Sequence, residues 1–298
     1  MRITTNTTSE NIVRQIQQLG TQQAKLQMQV ATGQRIFQPE DDPTGMGRVL
    51  GLESESRQLA QFGRNVGRAL ELSQASFSGL QQIKKISDRA GEIATLGAGA
   101  ISASAADAYA SEVDQLIEQT VQFTNTKFRN DYLFGGTAVD APPFVATRNV
   151  SGNVTLVDYY GNANQTEIQL SESARISPGT TGATNTGLRD FLNELVALRD
   201  ALTANNPTAV TAAATTLVVS EDLLVSSLAE HGGVQTRIEA NRAQLLDRVE
   251  NIEKLVSAET DVDLPSTIVR LNQTQTAYQA ALQSAANIMR ISLLDYIN

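Results

Sequence analysis

The 298-residue chain has no cysteine, no tryptophan, a single histidine, and only 8 phenylalanines and 6 tyrosines. Without cysteine there is no disulfide, no thiolate nucleophile and no Cys-ligated metal. His231 alone cannot build a histidine metal site, and no Gly-x-Ser-x-Gly elbow supplies a serine nucleophile. So few aromatics argue against a large aromatic core or a ligand cage. Positive charge is scarce as well: 23 Lys and Arg stand against 32 Asp and Glu, a formal net charge of −9. With acids spread along the chain, this balance argues against a nucleic-acid partner, which needs a basic patch for phosphate. Long hydrophobic runs are missing too. The opening Met1-Arg2-Ile3-Thr4-Thr5-Asn6 has no apolar stretch, so no cleaved secretory signal is expected. The uncharged run Leu271–Met289 is full of Gln, Asn, Ser and Thr, so membrane insertion is not expected either. Gly45-Met46-Gly47 and Gly97-Ala98-Gly99 fail to complete a dinucleotide fingerprint, and no cofactor is expected.

What the chain does have is one hydrophobic repeat at both ends. Ile12, Ile16, Leu19, Gln23, Leu26 and Val30 alternate steps of 4 and 3. Leu264, Ile268, Leu271, Gln275, Tyr278, Leu282, Ala285 and Met289 do the same. That average of about 3.5 residues is the period of a coiled coil, and each stripe holds one Gln at a seam position. Two matching seams so far apart in sequence imply that the termini come back together or dock on neighbouring copies. Residues 11–34 carry only Arg14 and Lys25 as charges, and 264–294 only Arg270 and Arg290. Helices with such uncharged outer faces suit packing against protein on several sides. Ile12, Ile16, Leu19, Leu26, Val30, Leu264, Ile268, Leu271, Tyr278, Leu282 and Met289 are therefore the candidate assembly interface.

Between the ends the pattern predicts long helices. Residues 10–34 read as one helix, ended by Gly33 and Pro39. Asp42-Pro43 reads as an N-cap with proline in the first helical position. A helix over about 44–96 follows, with Leu52, Leu59, Val66, Ser73 and Leu80 as one seam row and Phe62, Ala69, Ser76 and Ile83 as the other. At 1.5 Å per residue it would span roughly 80 Å, which demands an elongated body. After the small residues 97–102 a helix resumes through Tyr109, Val113, Leu116, Thr120 and Phe123. Texture changes at Tyr132. Val154–Tyr159 and Thr166–Leu170 read as strands with Gly161-Asn162 in the turn between them. Helix returns at Leu188, and again over 208–258 with a kink or break expected at His231-Gly232-Gly233; Asp263 and Pro265 open the last one. The expected fold is mainly α: an elongated antiparallel helical rod with terminal coiled-coil helices and a small β-rich insert domain. Its parts are 1–40 with 262–298 as paired terminal helices, 41–131 with 187–261 as the rod, and 132–186 as an outer insert. The interior stripes are read as core within the chain, and the terminal ones as docking between subunits.

The remaining chemistry is thin. Glu40-Asp41-Asp42 reads as capping rather than a cation site, which needs about six oxygen ligands. His231 reads as a helix-end residue. Three Asn-x-Ser/Thr triplets, at Asn149, Asn164 and Asn272, read as turn and helix-surface polarity. A binding or enzymatic module in 132–186 is disfavoured, because the insert has no His and few acids: Asp140, Asp158, Glu167 and Glu172.

Several motifs resemble the bacterial flagellin family, and within it the branch of hook–filament junction proteins. They include Met1-Arg2-Ile3-Thr4, Ala31-Thr32-Gly33-Gln34-Arg35-Ile36 and Pro39-Glu40-Asp41-Asp42-Pro43. The most specific runs from Asn125-Thr126-Lys127-Phe128 through Tyr132-Leu133-Phe134-Gly135-Gly136-Thr137 to Ala141-Pro142-Pro143-Phe144. Tyr160-Gly161-Asn162 is similar to a Tyr-Gly-Asp turn of the family, with Asn in place of Asp. Gly233–Glu239 and Ser292–Tyr296 are family-like as well. The resemblance implies a non-enzymatic subunit of the extracellular bacterial flagellum, exported without a cleaved signal peptide through the flagellar type III apparatus. It implies terminal helices in the inner tube, an outward-pointing β insert, and a role as adaptor at the hook–filament junction. The implied partners are the hook-side junction protein, flagellin, a flagellar export chaperone and copies of itself in a ring. The alternative within the family is a filament flagellin with a small outer domain.

Overall fold

The computed structural model describes the backbone of residues 2–99 and 101–297 and the side chains of 10–99 and 101–287. Helix α1 spans Arg2–Thr32, α2 Pro43–Gly97 and α3 Ala103–Thr124. Six short strands follow: β1 Lys127–Phe128, β2 Asp131–Tyr132, β3 Phe144–Arg148, β4 Val154–Tyr159, β5 Ile168–Gln169 and β6 Arg175–Ile176. Three more helices complete the chain, α4 Gly182–Thr203, α5 Pro207–Thr260 and α6 Leu264–Ile297. The molecule is mainly α, as the periodicity requires, and α1 begins well before residue 10. Contacts divide it into two units, Met1–Arg57 with Arg248–Asn298, and Gln58–Asp247.

Helix ends sit where the sequence placed punctuation. Gly33 takes φ +73°, a left-handed geometry that favours glycine, and its N–H closes α1 by donating to Gln29 O at 2.9 Å. Asp42 caps α2, its Oδ1 accepting from Gly45 N at 2.9 Å, and Pro43 is the first helical residue. Ser102 caps α3 and Thr181 caps α4 in the same manner.

In the Gln58–Asp247 unit, α2, α3, α4 and α5 enclose a core that includes Leu80, Ile83, Ile93, Val113, Ile117, Leu188, Phe191, Leu195, Leu217 and Leu224. The predicted seam rows of α2 turn inward here: Val66, Ser73, Leu80, Phe62, Ala69, Ser76 and Ile83 are buried, while Leu52 and Leu59 at the start of the row are only half-buried. Among the described residues α5 is the one helix long and apolar enough to cross a membrane by composition, yet its Val210, Leu217 and Leu224 belong to this core.

The strands pair differently from the sequence expectation. β4 occupies the predicted residues but pairs with β3, antiparallel, with Phe144 opposite Tyr159. β5 pairs with β6 instead, and Gly161-Asn162 is not a hairpin turn. The reason is that β4 has helical partners. Asn193 of α4 accepts from Val157 N at 2.9 Å and donates to Val157 O at 3.0 Å. Asn125, after α3, does the same for Phe144, at 3.1 and 2.8 Å. Two side-chain amides thus stand in for missing strands on β3 and β4. Phe134, Phe144, Val154 and Val157 are fully or almost fully buried in the helical core. Asn162 instead latches the loop before β3: its Oδ1 accepts from Thr137 N at 3.0 Å and its N–H donates to Gly135 O at 3.2 Å.

The expected break at His231-Gly232-Gly233 is absent. α5 is continuous through it, and His231 is a buried mid-helix residue rather than a helix-end one. Two glycines cost about 1 kcal/mol each in a helix interior, which packing along a 54-residue helix overrides.

Candidate assembly interface

The two terminal stripes meet within one chain. α1 and α6 pack along each other, antiparallel, because the chain passes from α5 into α6 beside the end of α1. Val262 N donates to Gly33 O at 2.9 Å and Arg35 N to Thr260 O at 2.6 Å, with Gln34 bridged to Asp261. Further along, a Cβ on Gly20 would lie 3.6 Å from Tyr278 Cε2. The same register sets Leu26 level with Leu271.

On α1 the predicted row faces this seam. Leu26 is buried, and Ile12, Ile16, Leu19 and Val30 are half-buried. On α6 the structure divides the predicted residues. Leu271 and Tyr278 are half-buried in the seam, with Ala285 buried. Leu264, Ile268 and Leu282 lie outside it, 42%, 44% and 44% exposed. The side chain of Met289 lies outside the described residues. The inner row of α6 is instead completed by Thr267 and Thr274, 4% and 8% exposed. The 4-and-3 stepping from Leu264 selects Ile268 and Gln275 instead of these threonines beside them. Thr274 tolerates burial because its hydroxyl donates to Arg270 O at 2.8 Å, one turn back. The steps from Thr267 to Leu271, Thr274 and Tyr278 are also 4, 3 and 4. Both rows fit the same repeat, and the sequence period alone does not separate them.

α6 therefore has two faces. One is filled by α1. The other shows Leu264, Ile268, Val269 and Leu282 to solvent, while Val13 and Met28 do so on α1. This unit also exposes Phe37, Leu50 and Leu255 at about half their surface.

Beside the pair, the acids at 41 and 42 hold a knot of charges. Lys25 Nζ is 2.7 Å from Asp41, whose other oxygen accepts from Phe37 N and Gln38 N, each at 3.0 Å. The Lys25 bond first, then the two amide bonds, lower the Asp41 pKa to about 2. Arg35 Nη1 donates to Asp42 at 3.1 Å and its Nη2 to Glu259 O at 2.8 Å. Arg48 grips Glu259 with two bonds, 2.8 and 2.9 Å, which lower the Glu259 pKa. The Gly45 N–H bond, with Arg35 next, lowers that of Asp42. The knot joins the α1 end, the start of α2 and the end of α5. Its carboxylates are committed to cations and amides, and among the described residues no group of three or more His, Asp or Glu is arranged to hold a metal.

The fold and the repeat define a class, long-helix proteins whose terminal helices pair. A model of the bacterial flagellin N-terminal helical region matches residues 3–138. The flagellar hook-associated protein 3 of Escherichia coli (strain K12) is 24% identical over 322 aligned positions, covering 98% of each chain. The crystal structure of Bacillus cereus FlgL matches with TM-score 0.61 and 17% identity, over 70% of this chain and 99% of that one. The flagellar junction protein FlgL from Legionella pneumophila matches with TM-score 0.52 and 12% identity, over 73% and 100%. The structural matches speak for the fold. The chain resembles the bacterial flagellin family. Within it, the resemblance is to the hook-associated protein 3 branch.

Proposed function

We propose that the protein is a structural subunit of the bacterial flagellum, the adaptor between hook and filament. The observation that carries this reading is end-to-end similarity to hook-associated protein 3, reaching 98% of both chains. The local chemistry agrees: the acids at Asp41, Asp42 and Glu259 serve as caps and ion-pair partners. In this role the protein is not an enzyme and takes no cofactor. It leaves the cell without a cleaved signal and works in the extracellular flagellum. Residues 1–40 and 262–298 form the inner-tube segment, 41–131 and 187–261 the rod, and 132–186 the outer part. Copies assemble in a ring through Leu264, Ile268 and Leu282 of the expected interface, whereas Ile12, Ile16, Leu19, Leu26, Val30, Leu271 and Tyr278 pair α1 with α6 inside each subunit. The α1–α6 pair uses its inner rows within each chain, which leaves Leu264, Ile268 and Leu282 for neighbours. The partners are the hook-side junction protein below, flagellin above, and an export chaperone before assembly.

The match of residues 3–138 to the flagellin N-terminal model favours a second reading, a filament flagellin with a small outer domain. Electron microscopy of cells lacking the protein separates the two. Hooks without attached filaments, with flagellin released into the medium, are expected for the adaptor. Filaments still attached to hooks would overturn it.

A further inference from the structure

The Gln58–Asp247 unit has two separate apolar clusters. One surrounds Leu80, Phe191 and Leu224; the other contains Val66, Ala69 and Ile238. Helices α2 and α5 contribute to both, antiparallel. A Cβ on Gly63 would lie 3.8 Å from Leu245 Cδ2, and Lys84 Nζ lies 3.0 Å from Glu221 Oε1. Equal helical rise between those contacts sets Ser73 and Ser76 level with residues about 234 and about 230. At that level stand His231 and Gln235, one turn apart on α5. Ser73 and Ser76 are fully buried, and His231 is 4% exposed.

Among the described residues, the buried side-chain atoms without a hydrogen-bond partner are Ser73 Oγ, Ser76 Oγ, His231 Nδ1 and Gln235 Nε2. All four fall at this one level, between the clusters. Each carries an uncompensated desolvation cost, so their coincidence marks a weak layer rather than scattered packing faults. α4 extends the layer. Thr184 Oγ1 meets Ser227 Oγ at 3.0 Å, Thr180 Oγ1 donates to Asn185 Oδ1 at 2.6 Å, and Asn185 Nδ2 donates to Tyr159 OH at 3.1 Å. A polar belt thus crosses the unit where its apolar core is interrupted.

We propose that this belt is an acid-sensitive joint: protonation of His231 loosens α5 from α2 and α4 at this level and uncouples the two apolar clusters. The groups of the belt are the hydroxyls of Ser73 and Ser76 from α2, those of Thr184 from α4, and Ser227 and Gln235 from α5 itself. No carboxylate lies within hydrogen-bonding distance of His231 Nδ1 to hold an added charge. A cavity of about 260 Å³ reaches the histidine, giving water a path to it. Its charged lining is balanced, Glu167 and Arg175 from the β5–β6 hairpin, which pair at 3.7 Å, and Glu230 and Arg237 from α5. Burial lowers the His231 pKa from its ordinary 6.5. Below 6.5 the opened state then binds the proton first, so the closed state loses ground as pH falls. Glu194, on α4, has its pKa raised by burial and acts with the opposite sign, gaining its proton while still folded.

Hydrogen–deuterium exchange on the full-length chain, corrected for intrinsic rate, reads the joint through peptides covering 70–80 and 224–240. From about pH 7.5 to about pH 5.5, their opening equilibrium should grow by up to about tenfold per pH unit once below the unfolded histidine value. Peptides covering 110–117 and 191–202, in the Phe191 cluster but outside the belt, should not change. His231→Gln should remove the pH dependence, whereas Glu194→Gln should keep it. The chain's one imidazole also gives a single NMR titration, readable even where the variant folds poorly. A midpoint at or above 6.5 would overturn the joint, as would exchange at 70–80 and 224–240 that ignores pH. Equal pH dependence in the wild type and His231→Gln would do the same.

Discussion

Gly45 stands where the cap of α2 leaves no room for a side chain. A Cβ there would lie 2.6 Å from Asp42 Oδ2 and 2.8 Å from buried Ile36 Cδ1. Gly45→Ala must push the capping carboxylate off its amide or shift Ile36. The expected loss is about 1–2 kcal/mol, the worth of an N-cap with some overpacking, measured by denaturant unfolding. A variant as stable as wild type would show that the cap yields freely. Asp41 makes a second prediction. Its carboxyl is depressed to about 2, so the stability it adds is present above its ordinary value of 3.8 and is lost as pH falls through about 2. Asp42 and Glu259 are depressed as well, so the knot should loosen in acid and not near neutrality. NMR shifts of the Phe37 and Gln38 amides should follow Asp41 with a midpoint near 2. A midpoint near 3.8 would mean that Lys25 and the two amides do not hold it. Asp42-Pro43 was legible as a cap from two letters, because the chemistry is local. The knot was not, since Arg35, Arg48 and Glu259 are brought together only by tertiary structure.

Elements show where sequence legibility fails. Helices α2 and α5 were visible from their apolar rows, and β4 was placed to the residue. The partner of β4 was not visible. Strand pairing depends on what covers the edges, and here Asn125 and Asn193 cover them from helices. The glycine pair at 232–233 misled for the opposite reason: local propensity pointed to a break that long-range packing overrides. In the terminal pair the rows were seen and their division was not. Leu271 belongs to the seam within the chain, whereas Ile268 and Leu282 do not. Two substitutions should therefore part company. Leu271→Asp puts a carboxylate into the seam, at a cost of a few kcal/mol, and should separate α6 from α1 in the monomer. Ile268→Asp should leave the pair intact, with melting within about 0.5 kcal/mol of wild type, and block assembly alone. Circular dichroism and a motility assay on both variants check this. Equal loss of helix in both would refute the two-face division of α6. Removing residues 262–298 should cost roughly twice the helical signal of α6 itself, since α1 loses the face that holds it and is marginal alone.

At the scale of the whole molecule, the adaptor reading depends on unlike neighbours. An adaptor must meet a different protein at each end, and endless self-addition would defeat it. The same outer row of α6 that suits a neighbouring copy would, if it closed no ring, generate fibres. The sparsely charged outer faces of α1 and α6 do little to prevent this, so repulsion between copies comes mainly from the −9 net charge as a whole. High salt screens that charge, and sulfate also strengthens apolar association. Concentrated protein in sulfate is therefore the harshest test. The expected outcome is monomer or short oligomers by light scattering, with no filaments in negative stain. Addition to hooks already carrying the hook-side junction protein should give stable attachment, and flagellin should then polymerise from that end. Ile268→Asp should abolish attachment without changing the scattering of the free protein. Long filaments grown from this protein alone would reject the adaptor and favour the flagellin reading, because the outer row would then serve unlimited self-addition.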